Sequence, residues 1–86
     1  MGTWNYRVIE FAASPGTGTA EAQLWRAIHE VYYNDNGGLA GYSENPAVIM
    51  WDADDEDSAP FDILDRMRKA LVQPVIVEKD FHANNA

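Results

Sequence analysis

The stretch that most constrains the fold of this chain is residues 24–33, which read LWRAIHEVYY. It is rich in aromatic and β-branched side chains, which favour a pleated and half-buried strand. Successive side chains of a strand point to opposite faces. One face of this strand would carry Trp25, Ala27, His29, Val31 and Tyr33. This set is bulkier and less charged than the alternating set, so we predict that it faces the core.

The residues around this strand predict an antiparallel meander. Residues 34–38 read NDNGG, a composition typical of a tight hairpin turn because Asn, Asp and Gly tolerate positive φ. Residues 39–42 would then return beside the central strand. Residues 4–11 alternate with period two and form the first strand. Residues 12–22 contain SPGTGT and are predicted to be a mobile loop.

A proline and an acidic run separate the predicted sheet from a predicted helix. Pro46 cannot donate to a strand ladder, and we expect residues 47–51 to resume the third strand beyond a bulge. Residues 52–57, which we call the acidic loop, follow. Ser58 is placed as the helix N-cap, with Pro60 in the first turn.

The C-terminal part of the chain changes to helical periodicity. Apolar residues recur at spacings of three and four over residues 59–72. These apolar positions are Phe61, Ile63, Leu64, Met67, Ala70 and Leu71. Residues 74–77 would form a short extended segment on the sheet, Phe81 would dock it, and residues 82–86 would fray. The prediction is a single α+β domain over residues 1–86, a two-layer sandwich of three or four antiparallel strands against one helix.

Composition excludes several classes of function. The chain has no cysteine, which removes disulfides, thiolate metal sites and cysteine nucleophiles. No apolar run approaches the ~18 residues of a membrane span. Residues 1–6 show no secretory signal, so we expect a cytoplasmic protein. The net charge is −8, and eight of the 14 acids lie in residues 44–65 without any Lys or Arg. Direct binding of nucleic acid needs a basic surface and is therefore disfavoured.

Motifs of catalytic, cofactor-binding or metal-binding strength are missing. The Gly-Thr-Gly at residues 16–18 lacks the lysine of a phosphate-binding loop. An EF-hand loop begun at Asp52 would need Gly at Asp57 and Glu at Ile63. His29-Glu30 is not followed by the second histidine of a zinc protease motif, and we predict His29 to be a hydrogen-bonded residue of the sheet. We therefore predict no catalytic residues, cofactor or metal, and no enzyme activity.

Four segments together resemble a family of short proteins of uncharacterised function from bacteria and their phages. They are WNYRVI at residues 4–9, IHEVYY at 28–33, YSENP at 42–46, and residues 64–74. The resemblance covers most of the chain and implies a bacterial or phage origin, with no activity to carry over. At the level of fold alone, the strands, the glycine hairpin and the helix are similar to HicB-type antitoxins, which neutralise a small toxin. Fold similarity is a weak guide to function.

Two sets of residues are candidate contacts for a protein partner. If the core takes one face of the central strand, then Leu24, Ile28 and Tyr32 lie on the open face, where aromatic and apolar side chains suit a binding interface. The second set is acidic and comprises Glu44, Asp52, Asp54, Asp55, Glu56 and Asp57. The first set favours an interaction protein that binds a partner protein or a second copy through its sheet. The second favours an acidic inhibitor, antitoxin-like or a phage counter-defence protein, that fills a basic cleft on a nucleic-acid-handling protein.

Overall fold

The computed structural model describes residues 2–13 and 23–83, and it is an α+β domain with a curled four-stranded sheet. The predicted mobile loop at 12–22 and the predicted frayed tail at 82–86 lie largely outside these residues and stay predictions. Among the described residues, no helix is both long and apolar enough to cross a bilayer.

The first two strands form the long hairpin that the sequence predicts. Strand β1 is Thr3–Ala13 and strand β2 is Gln23–Tyr33, and they pair antiparallel over their whole length. The register places Ile9 opposite Ala27 and Phe11 opposite Trp25. Directly paired residues share a sheet face, so this register decides which side chains can meet across the two strands.

The third strand, β3, is Leu39–Tyr42, and it returns antiparallel to β2 after the predicted turn. In this turn the N–H of Asn34 donates to the carbonyl of Gly38 at 2.8 Å, and the N–H of Gly37 donates to the carbonyl of Asn34 at 2.9 Å. Gly37 has φ of +86°, a conformation that costs a side chain with a Cβ appreciable strain. The glycine is therefore required by the geometry of the hairpin.

The sheet is mixed rather than an antiparallel meander, which corrects the sequence prediction. Strand β4, Ile76–Val77, pairs in parallel with β1, and the strand order is β3-β2-β1-β4. A helix lies between β3 and β4 in the chain. A parallel pair needs such a crossover, and here the helix carries the chain past β2 to the free edge of β1. Periodicity cannot reveal this, because a two-residue strand has no readable period.

Helix α1 is Ala59–Leu71, close to the predicted 59–72. Ser58 occupies the N-cap position as predicted, but its side chain makes no capping hydrogen bond. Pro60 lies in the first turn, where its missing N–H leaves no helical bond unmade. A second helix, α2, is Lys79–Ala83.

The predicted continuation of β3 over residues 47–51 is wrong as a strand. The N–H of Ala47 does donate to the carbonyl of Ile28 at 2.8 Å, so the chain stays beside β2 to that point. Residues 48–51 then have no regular secondary structure and are exposed. Pro46, which cannot donate to the ladder, precedes this departure from the sheet.

The core lies on one face of the sheet and is small. Its buried members are Ile9, Phe11, Val31, Ile76 and Phe81. His29 and Val31 are both buried, which confirms the predicted inward face of β2, whereas Trp25 lies half exposed at the strand end. The predicted docking of Phe81 is confirmed, since its ring lies 4.8 Å from that of Tyr42.

The two helices lie on opposite faces of the sheet. Phe81 of α2 closes the core face, whereas Leu71 at the end of α1 lines a cleft with Val8 and Ile28. Val8 and Ile28 are paired residues of the opposite face. Arg7 ties β1 to the segment after α1, because its guanidinium donates to the carbonyl of Pro74 at 2.8 Å. The two-layer sandwich predicted from the sequence therefore gains a third layer, and α1 lies on the face that the sequence analysis predicted to be open.

Candidate interaction surface

The sheet face that carries the first set of predicted contact residues is partly covered by α1 and does not bring these residues together. Leu24 is 60% exposed and Tyr32 is also exposed, whereas Ile28 is half-buried. Eight residues of strand separate Leu24 from Tyr32, which is roughly 27 Å. The ion pair between Arg26 and Glu10, at 3.0 Å, interrupts this face near its Leu24 end.

Tyr32 lies at the more apolar end of this sheet face. It is paired with Trp4, which is also exposed and which contacts Tyr6 edge-on at 5.3 Å between ring centroids. The hydroxyl of Tyr32 donates to Oε1 of Glu30 at 3.1 Å. Partial desolvation, with this hydrogen bond and the negative charge of Glu30, raises the pKa of Tyr32. The group therefore has two exposed rings, Trp4 and Tyr32, and one half-buried ring, Tyr6. The carboxylate of Glu30 holds the Tyr32 hydroxyl at its edge.

The acidic loop is wholly exposed and organised by its own backbone. The N–H of Asp55 donates to the carbonyl of Asp52 at 3.0 Å, and Oδ2 of Asp55 accepts from the N–H of Asp52 at 3.0 Å. The N–H of Ala59 donates to the carbonyl of Glu56, which joins the loop to α1. Asp54, Asp57 and the more distant Glu44 are exposed as well. Within the described ranges, no three acidic or histidine side chains converge as metal ligands would.

His29 is a structural residue of the core face, as the sequence predicts. It is 3% exposed, and its Nδ1 lies 2.9 Å from the carbonyl oxygen of Ser43. Its ring packs between Phe11 and Tyr42 at 5.1 and 5.5 Å between centroids. Nδ1 also lies 3.2 Å from the hydroxyl oxygen of Ser43, which itself donates to the carbonyl of Asn45 at 2.7 Å. The imidazole is therefore held by packing and by the loop after β3.

Tyr42 extends this ring cluster toward the end of the chain. Its hydroxyl donates to Oε2 of Glu78 at 2.8 Å. Burial, with the hydrogen bond and charge of Glu78, raises the pKa of Tyr42. The contact joins β3 to the residue between β4 and α2, and two strands separate β3 from β4 in the sheet.

Helix α1 exposes a surface that the sequence analysis assigned to the core. Ala70 is its only buried residue, and Ile63 and Met67 are half-buried. By contrast Phe61 is 71% exposed and Leu71 is 65% exposed, with Leu64 also exposed. The sequence treated all six apolar positions as one face. The narrow contact with β1 covers only the sector that contains Ala70.

The segment before the acidic loop adds a second unpredicted apolar surface. Its exposed side chains are Val48, Ile49, Met50 and Trp51. Met50 and Trp51 line a cleft of about 370 Å³ together with residues of the first two turns of α1. A larger cleft of about 490 Å³ lies between α1 and the start of β1 and is lined by Trp4, Tyr6, Arg66 and Lys69. The apolar residues 47–51 could have indicated this surface, but the sequence analysis assigned them to the third strand.

Comparison with known proteins adds no relative to this description. No family model, no curated protein and no solved structure matches the chain. The resemblances stated from the sequence therefore stay predictions, and the proposals that follow rest on the surface geometry.

Proposed function

We propose that this protein is a non-enzymatic association module that binds protein, another protein or a second copy of itself, through its exposed apolar surface. The observation that carries the proposal is the number of large apolar side chains that the described fold leaves exposed. They are Trp4, Leu24, Trp25, Tyr32, residues 48–51, Phe61, Leu64, Leu71, Val72 and Val75.

The balance between exposed and buried apolar side chains supports this role. Seven hydrophobic residues are buried in the described part of the chain, namely the five of the core together with Val8 and Ala70, and only Ile9 and Val31 are large and fully enclosed. Isolated apolar residues on a surface are ordinary, but contiguous groups mark interaction sites. Here the exposed residues concentrate in three groups, at the Trp4–Tyr32 end of the sheet, at residues 48–51 and along α1.

The proposal is tested by separating stability from association. Replacement of an exposed residue that serves binding leaves the free energy of unfolding within about 0.5 kcal/mol, whereas a buried residue costs about 2–5 kcal/mol when truncated. We expect Tyr32→Lys to unfold like the wild type and to bind less of a fluorescent dye that reports exposed apolar surface. Ile9→Ala is the matched core control and should unfold much earlier in denaturant.

Two results would contradict this function. One is a wild type that binds no more dye than a protein with a sealed surface. The other is a Tyr32→Lys variant that loses as much stability as Ile9→Ala, because Tyr32 would then serve the fold.

The acidic loop supports a second candidate, an acidic inhibitor that occupies a basic cleft on another protein. Its five carboxylates are exposed, and none of them forms an ion pair with a described side chain. Association through such a surface weakens steeply as salt shortens the screening length from ~10 Å at 0.1 M to ~3 Å at 1 M. Association through apolar contacts does not, so salt dependence separates the two candidates.

A further inference from the structure

The exposed side of α1 has the spacing of a helix-pairing seam. Phe61, Leu64, Arg68 and Leu71 follow one another at steps of three, four and three residues, and we call them the outer stripe. Alternating steps of three and four place side chains along one line of a helix, as in two-stranded coiled coils. All four residues of the outer stripe are exposed.

The opposite side of α1 already has a partner within the domain. Ala70 is buried against the sheet, and Ile63 and Met67 are half-buried. On a helix of 3.6 residues per turn, Ala70 lies about 180° from Phe61. Phe61, Leu64 and Arg68 therefore lie on the side of α1 away from the sheet, where an occupant from outside the described residues can reach them. Leu71 is 65% exposed and also borders the cleft with Val8 and Ile28.

The charges along α1 select an occupant of a particular kind. Asp65 and Arg68 are exposed charged residues beside and within the outer stripe, whereas Arg66 and Lys69 line the cleft between α1 and β1. A second α1 placed in parallel would set Arg68 against Arg68. A second α1 placed antiparallel sets each Arg68 near the Asp65 of the other copy.

We propose that two copies of this protein pair through α1, antiparallel, along the outer stripe. The inference rests on the proposed function, because it names the protein that covers one part of the apolar surface. A two-fold axis near the middle of the stripe places Phe61 against the partner's Leu71 at both ends of the seam. In the centre Leu64 meets the partner's Arg68, and that guanidinium lies beside Asp65.

Arg68 is the residue that makes this pairing specific. It forms no ion pair with a side chain in the described part of the chain, and Asp65 is held only by Lys69, at 3.2 Å. An arginine at a core position of the seam is unfavourable unless a carboxylate lies nearby. The antiparallel register supplies that carboxylate twice, once for each copy.

The expected dimer is weak. Helix α1 has 13 residues and is therefore about 20 Å long. Two helices of this length bury less than the ~1,200 Å² typical of stable complexes, so we expect a dissociation constant in the micromolar range, roughly 10 µM. Sedimentation velocity over a concentration series that spans this value measures it directly.

The first test replaces one apolar member of the stripe. We expect Leu64→Lys to raise the dimer dissociation constant at least about 10-fold, which is a loss of ~1.4 kcal/mol of binding. Ala40→Lys is the matched control, because Ala40 is also exposed but lies on β3 and belongs to neither set of candidate contacts. It should leave the dissociation constant unchanged, and both variants should unfold at the wild-type temperature.

The second test exchanges the charges of Asp65 and Arg68 at the centre of the seam. Asp65→Arg and Arg68→Asp each place like charges together and should weaken the dimer several-fold. The double variant restores opposite charges across the seam and should recover the wild-type dissociation constant. Asp35→Arg, in the hairpin turn, changes net charge as much as Asp65→Arg does and should leave the dissociation constant unchanged.

The third test uses the absence of cysteine in the chain to read out direction. In an antiparallel pair the two copies of residue 61 lie at opposite ends of the seam, too far apart for a disulfide, which needs Cα atoms within ~7 Å. Phe61→Cys alone should therefore stay uncrosslinked under mild oxidation. A mixture of Phe61→Cys and Leu71→Cys should crosslink.

Each contrary outcome separates this inference from the proposed function. A monomer at every concentration overturns the α1 dimer, while the dye and stability test still decides the proposed function. A dimer that Tyr32→Lys disrupts and Leu64→Lys does not also overturn it, and assigns association to the sheet. Self-crosslinking of Phe61→Cys alone indicates a parallel pair, and failure of the double charge variant to recover removes the proposed register.

Discussion

At the scale of single residues, polar groups complete the core face and apolar groups are left outside it. His29 and Tyr42 pack among the rings of the core cluster, each with a hydrogen-bond partner at 2.8–2.9 Å. Buried polar groups stabilise a fold only when they are satisfied in this way. Phe61 and Leu71, which have no polar atoms to satisfy, lie in solvent. Which residues are buried therefore depends on how much surface the small sheet covers, rather than on the hydropathy of each residue.

Tyr42 gives a prediction for the pH dependence of stability. Burial and the contact with Glu78 raise its pKa above the value of about 10 that it has in the unfolded chain. A raised folded-state pKa means that its contribution is fully present below pH ~10 and is lost as pH rises through the folded value. We expect the free energy of unfolding to fall above pH ~10 and to fall less steeply in Tyr42→Phe.

Denaturant unfolding at a series of pH values measures this effect. At neutral pH the Tyr42→Phe variant should lose about 1 kcal/mol, the usual net value of one hydrogen bond. If the free energy of unfolding falls with the same slope above pH ~10 in the variant and the wild type, Tyr42 does not cause the pH dependence.

At the scale of secondary-structure elements, the sequence predicts what strong local patterns specify. The period of two in β1 and β2, the NDNGG turn and the period of α1 all predict elements that the structure contains. The parallel placement of β4 depends on where a crossover ends, which no local pattern encodes. Ser58 shows the same limit. Serine is a common N-cap residue and Ser58 lies at the N-cap position, but its side chain makes no capping hydrogen bond.

The hairpin turn offers a prediction with a matched control in the same strand pair. Gly37 has positive φ, so Gly37→Ala should cost roughly 1 kcal/mol of stability. A Cβ on Gly41 meets nothing within 4 Å, and its φ is not positive, so Gly41→Ala should be nearly neutral. Equal thermal unfolding temperatures for the two variants would show that the turn carries no such strain.

At the scale of the whole molecule, the candidate surface was only partly predictable from the sequence. The inward face of β2 identified Tyr32 and Leu24 as outward residues, and both are exposed. The exposure of Phe61, Leu64 and Leu71 could not be read in this way. An amphipathic pattern gives the direction of the apolar sector, but not how much of that sector the neighbouring sheet is wide enough to cover.

The same limit explains the residues before the acidic loop. An apolar run such as residues 47–51 is compatible with a buried strand and with an exposed binding segment. The structure leaves Val48, Ile49, Met50 and Trp51 exposed, next to the carboxylates that follow them. A chain of 86 residues buries only ~60% of its surface, so covering these side chains by association is the natural way to remove them from water.

The central claim is that apolar contact, rather than charge, drives self-association of this protein. Light scattering over a concentration series, at low and at high salt, measures it most directly. We predict a molar mass that rises with concentration above the monomer value of 9.6 kDa and stays above that value at high salt. A mass of 9.6 kDa at every concentration, or a larger mass that falls to that value in high salt, would contradict the claim.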